Sequence, residues 1–198
     1  GLTRGGGRLH TGAMMHPFEK LSAPQLRRVY WIFLALTFGV AALLSRLAQY
    51  VPEHSANATV QTVPTVAFEF ARTTEDWNRL AAEVGKPGLD ALRVQTYYDY
   101  LFLIAYSTLL AAAVIGVASG GGPAWLTTLA RGLAWGQWVA ALADAIENYG
   151  LLCNIAGPVS ETWTFISSTA AAIKFGLIVF GILFIYILLP RSWRGDAI

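Results

Sequence analysis

Leu133–Cys153 reads LAWGQWVAALADAIENYGLLC. A helix of about 20 apolar residues crosses a hydrocarbon core of about 30 Å, and this stretch is long enough. Yet it carries Asp144, Glu147 and Asn148. A carboxylate at mid-bilayer costs at least about 2.5–3.5 kcal/mol, so these groups need a partner or a purpose. At 100° per residue, with Asp144 as origin, Leu133, Gln137, Ala140, Ala141, Glu147, Asn148 and Leu151 fall within about 60°. Trp135, Trp138, Val139, Leu142, Ile146, Tyr149 and Cys153 fall on the other side. One face is polar and small, the other bulky and apolar. In a membrane that pattern turns the bulky face to lipid and the polar face to other helices.

The rest of the chain agrees. Of 198 residues, 55% are hydrophobic and only 13% charged, against about 25% charged in a soluble domain. Mean hydropathy is +0.49. Apolar residues gather in blocks, which predicts an all-α integral membrane protein, a bundle of four transmembrane helices. The spans are 29–50, 97–118, 132–153 and 163–189, with a structured loop between the first and second. The sequence SGGGP at Ser119–Pro123 and the Gly157-Pro158 pair separate the later spans. Residues 1–13 are Gly-rich and precede Met14 and Met15, where the natural start is expected. Ala56-Asn57-Ala58 has the look of a signal-peptidase site but lies too far beyond the first apolar run, so the first span is expected to be retained.

Lys20, Arg27 and Arg28 precede the first span, Arg131 enters the third, and Arg191 and Arg194 follow the fourth. The bias favours a cytoplasmic N-terminal segment (1–28) and tail (190–198), with the long loop outside. The expected location is a bacterial inner membrane, crossed four times. Tyr30, Trp31, Tyr50, Tyr97, Tyr98, Trp125, Trp163 and Trp193 form an aromatic belt at the span ends. The outer loop, 51–96, is too long for a plain connection. Thr59–Phe70 alternates weakly through Val66, Phe68 and Phe70, and reads as a short hairpin or an extended lid. Thr73 can cap an amphipathic helix over about 74–84, with Trp77, Leu80, Ala81 and Val84 on one face and Gly85 and Pro87 ending it. Asn57-Ala58-Thr59 is a glycosylation sequon of a kind common by chance.

Candidate partners for the third span's carboxylates lie on the other spans. At about 1.5 Å per residue, Asp99 sits roughly 5 Å from the outer boundary, Arg46 roughly 7 Å and Glu147 roughly 10 Å. Asp144 sits roughly 14 Å in, and Lys174 and Tyr106 roughly 15 Å. The expected binding set is Arg46, Asp99, Tyr106, Gln137, Asp144, Glu147, Asn148 and Lys174, with Asp144 and Glu147 as the candidates for proton transfer. It sums to two cations against three carboxylates, which leaves room for a proton or a bound cation. Ion pairs that only fix helix register are the plain alternative.

Several chemistries find no support. His10, His16 and His54 all lie outside the spans, which disfavours haem and histidine metal sites. There is no H-E-x-x-H, C-x-x-C, P-loop or G-x-S-x-G. Ser167 and Ser168 stand near Lys174, but small serines in a tight helix read as packing. Cys153 is the only cysteine, and no internal disulfide can form. A net charge of +2 with no basic run gives no nucleic-acid footprint. No metal and no cofactor are expected. The partners expected are the bilayer, a lipophilic small molecule or ion, and a membrane-protein partner or second copy. Three functions follow: binding or moving a lipophilic molecule, proton or ion; an accessory subunit with structural ion pairs; or an enzyme using carboxylates on a lipid or sterol-like substrate. The last would be similar, in architecture alone, to sterol isomerases of the emopamil-binding type.

Overall fold

Helices begin where the sequence supplies caps. Ser22 precedes α1 (Ala23–Leu47), and the Gln25 side chain accepts from the Ser22 N–H at 2.9 Å. Thr73 caps α3 (Thr74–Ala118), its hydroxyl accepting from the Asp76 N–H at 3.1 Å. Pro123 sits before α4 (Ala124–Ala156), and Gly157-Pro158 ends it. The last helix, α5, spans Glu161–Gly195. A computed structural model describes residues 14–52, 59–120 and 123–195, with side chains to Leu188. The readings made of residues 1–13, of the cleavage site at 56–58, of the sequon's Asn57 and Ala58, and of the side chains of the tail lie outside the described residues.

The chain is mostly helical. Three helices are long and apolar enough to cross a membrane: Ala23–Leu47, Thr74–Ala118 and Glu161–Leu188. They make the chain compatible with a membrane protein. At 33 residues α4 matches them in length, but Gln137, Asp144, Glu147, Asn148 and Asn154 dilute its apolar content. Large apolar side chains point outward all round, among them Trp31, Phe38, Leu142, Tyr149, Phe180 and Tyr186. Contiguous exposure of this kind is rare in soluble monomers.

α3 is the central element. It packs against α1, α4 and α5, while α4 and α5 form the most extensively packed pair. Between α1 and α3 a two-residue antiparallel ladder, β1 (Gln49–Tyr50) with β2 (Gln61–Thr62), leads into a short helix, α2 (Thr65–Glu69). Within the alternating stretch 59–70, Gln61–Thr62 pairs in the ladder and Thr65–Glu69 is helical.

The amphipathic helix over 74–84 is present, burying Trp77, Leu80 and Val84. It breaks at Gly85, where φ is 63° and ψ −171°, a conformation costly for any residue with a Cβ. The segment 86–96, read above as loop, is helical instead and continues into the second apolar stretch. Pro87 lies in the first turn of the resumed helix, where a missing N–H costs nothing. Gly88, Leu92 and Thr96 then face inward at helical spacing. Similarly, α4 begins eight residues before 132 and α5 two residues before 163.

Two apolar clusters result. One, at the lid end, gathers Tyr50, Val63, Phe68, Trp77, Leu92 and Leu151. The other, at the far end, gathers Leu26, Ala111, Val114, Ala130, Ala134 and Phe184. Along both α3 and α4 the polar residues lie between them.

Before α1, a turn of 3-10 helix (Pro17–Lys20) folds the N-terminal segment onto α4. Glu19 takes both its oxygens to Arg131, at 2.7 and 2.8 Å, and His16 is fully buried against Phe18, Trp135 and Trp138. The Arg131 hydrogen bond holds the Glu19 carboxyl below its ordinary 4.5, and burial holds the His16 imidazole below its ordinary 6.5. Both groups have depressed values in the fold, so both stabilise it above their unfolded values and lose that contribution as pH falls through the folded ones. Acid should therefore release this segment in two steps, the first beginning near pH 6.5 and the second below 4.5. Tryptophan fluorescence from Trp135 and Trp138 would report it. Arg131→Gln should remove the second step; an unchanged acid limb in that variant would show that the pair does not hold the segment.

Candidate functional site

Lys174, from the middle of α5, is the hub of a buried polar cluster. Its ammonium hydrogen-bonds Asp144 at 3.1 Å and Glu147 at 2.9 Å, both on α4. It also reaches Glu69, at the end of α2, at 3.4 Å. The side chains of Lys174, Asp144 and Glu147 are 6%, 3% and 0% exposed, so water screens none of these pairs. Tyr106 on α3 donates its hydroxyl to the second Asp144 oxygen at 3.0 Å. Asn148 donates to Asp99 at 2.8 Å, joining α4 to the same α3 face.

The lid is held over this cluster at three points. Glu69 pairs with Lys174. Phe70 stacks on Phe175 with ring centroids 5.6 Å apart, and the Lys174 ammonium lies 4.7 Å from that same Phe175 ring. Thr65 donates to Gln95 on α3 at 2.7 Å. The Glu69 carboxyl is pushed above the ordinary carboxylate range, first by burial and also by the Asp144 carboxylate, against the pull of Lys174.

α4 presents its groups as the 100° pattern requires. Gln137, Ala140, Asp144, Glu147, Asn148 and Leu151 are buried, while Val139, Leu142, Ile146 and Tyr149 are exposed. On α5, Ser167, Ala170, Ala171, Lys174 and Gly181 face inward. Ser167 donates to the Glu147 carbonyl at 3.3 Å and Ser168 to the Phe165 carbonyl at 3.1 Å, which makes both packing serines.

Six of the eight residues singled out from the sequence thus meet: Asp99, Tyr106, Asp144, Glu147, Asn148 and Lys174. Two do not. Gln137 is buried about two turns along α4. There it donates to the Leu177 carbonyl at 2.9 Å and fills the space over Gly181. Arg46 is exposed, and no ion pair ties it to the cluster; the Gly39–Ala42–Arg46 face of α1 points away from the bundle. One residue was missed, Glu69. Its five-residue helix is too short for a period, and its charge reads as one of the loop's six acids. Its flanking aromatics, Phe68 and Phe70, are the one sequence hint that it is covered.

These changes alter the charge count. Arg46 leaves and Glu69 enters, so one ammonium faces four carboxylates. Among the described residues no three His, Cys, Asp or Glu side chains are grouped as metal ligands would be. No protein-family model, curated protein or solved structure matches the chain.

Proposed function

We propose that the protein is a four-span integral membrane protein whose buried cluster binds and exchanges protons. Asp144 and Glu147 would carry the protons, with Lys174 as the fixed counter-charge. The supporting observation is the surplus of Glu69, Asp99, Asp144 and Glu147 over a single ammonium, in a layer sealed by apolar clusters on both sides. Each uncompensated buried charge costs several kcal/mol, and neutralising a carboxylate with a proton removes that cost without needing space. Tyr106 and Asn148 are hydrogen-bond donors suited to orienting the carboxyls. Lid and bundle share the charge, so protonation would also weaken or strengthen the Glu69 contact.

In this reading α4 also crosses the membrane, as the third span in chain order, its polar residues lying on the face it turns inward. The lid faces outward and the termini lie in the cytoplasm, as the distribution of Lys and Arg favours.

Infrared titration of the purified protein in lipid nanodiscs tests the proposal. The carbonyl stretch of protonated carboxyl groups should be present at neutral pH and change as pH is varied. It should weaken in Glu147→Gln and in Asp144→Asn. A spectrum without that band at neutral pH, or one that neither variant alters, would leave the ion pairs with a structural role: fastening the lid and the α4–α5 seam.

A further inference from the structure

A cleft of about 910 Å³ lies at the end of the bundle away from the lid, where α1, α3 and α4 meet. That is the size of a small-molecule site. Its walls are apolar and built of small residues: Ala112, Ala113 and Gly116 on α3, and Ala130 on α4. At Gly116 an added Cβ would meet nothing nearer than Leu26 Cδ2, at 3.9 Å, so the wall has room along it.

The mouth has the opposite character. Arg27 lines it, is exposed, and has no hydrogen-bond or ion-pair partner among the described residues. Lys20 and Arg28 flank it, also exposed and without a partner among the described residues. The one acid on the wall, Glu19, is already committed to Arg131 through both oxygens. Tyr30 adds a hydroxyl without a partner among the described residues. A long apolar trough with uncommitted cations at its mouth matches an amphiphile with an anionic head. Basic pockets between helices on the cytoplasmic side of a membrane are where anionic headgroups bind.

We propose that this cleft binds an anionic phospholipid, with the phosphate on Arg27 and one acyl chain along the Ala113–Gly116 wall. The test reads lipid binding alone, and so stands apart from protonation of the cluster. Full-length protein in mild detergent would be titrated with phosphatidylglycerol, phosphatidylcholine or inorganic phosphate, and followed by thermal shift and native mass spectrometry. Phosphatidylglycerol should bind and stabilise, and the other two should not. Arg27→Gln should weaken phosphatidylglycerol binding about tenfold, the worth of one charge-assisted hydrogen bond. Ala113→Phe should fill the trough and abolish binding, with circular dichroism and gel filtration unchanged; if it does not fold, Gly116→Leu fills the same wall. Equal shifts from the two lipids, or a full shift from phosphate alone, would overturn the proposal. So would wild-type affinity in both Arg27→Gln and a folded trough variant. Stronger lipid binding on deletion of residues 1–13 would assign the cleft to the chain's own N-terminal segment and also overturn it.

Discussion

Lys174→Met should destabilise the protein by about 3–5 kcal/mol, the usual cost of removing one partner from a buried ion pair. Methionine nearly matches the lysine stem in volume, so little of that cost comes from packing. It comes from Asp144 and Glu147, which lose the cation at 3.1 and 2.9 Å and stay sealed from water, and from Glu69, which loses its tie to α5. The lid should loosen at its Glu69 end, because the Phe70–Phe175 stack, the Thr65–Gln95 hydrogen bond, the β1–β2 ladder and the packing of Phe68 remain but the ion pair does not. Thermal unfolding in one detergent would read the first effect and protease sensitivity of 59–73 the second. Adding Asp144→Asn and Glu147→Gln removes the stranded charges, so the triple variant should recover much of the loss through non-additive coupling. A single variant as stable as the parent, or a triple variant no better than the single, would sink the account.

Gly150→Leu should be nearly as damaging for a different reason. At Gly150 the backbones of α4 and α5 come close. An added Cβ would overlap Ser167 Oγ and stand 3.4 Å from the Trp163 carbonyl oxygen, which belongs to a helix backbone and cannot swing aside. Overpacking of this kind costs about 1–3 kcal/mol, and more when a helix must shift. Here a shift also strains the Ser167–Glu147 hydrogen bond and moves Lys174, two turns further along α5, away from its carboxylates. Gly176→Leu is the control: on the same pair of helices, an added Cβ there meets nothing within 4 Å. It should unfold at about the parental temperature. Equal behaviour of the two variants would mean that the seam is not close-packed.

The residues that could be read from the sequence are those whose environment is written in a period. The face of α4 follows from one angle per residue, so burial of Asp144, Glu147 and Asn148 together was foreseeable, and Lys174 followed from the small residues around it on α5. Depth along a helix was also readable; direction around it was not always. Arg46 has the depth of the cluster, but α1 meets only one side of α3 and turns Arg46 outward. By sequence Pro87 marks a stop, since proline breaks a helix interior, yet the break at Gly85 makes it the start of a new helix. Glu69 sits in a segment too short for any period, and only tertiary contact shows that it is covered.

The position of Lys174 also sets an order in time. A ribosome makes Glu69 first, then Asp99, then Asp144 and Glu147, and only in α5 the ammonium that Glu69, Asp144 and Glu147 share. Until that helix emerges, every acid of the cluster has been synthesised and none has its cation. α4 is the one kept waiting: α3 can already meet it through Asn148–Asp99 and Tyr106–Asp144, but Asp144 and Glu147 still lack the ammonium. The seam between α4 and α5 therefore closes only once α5 has emerged.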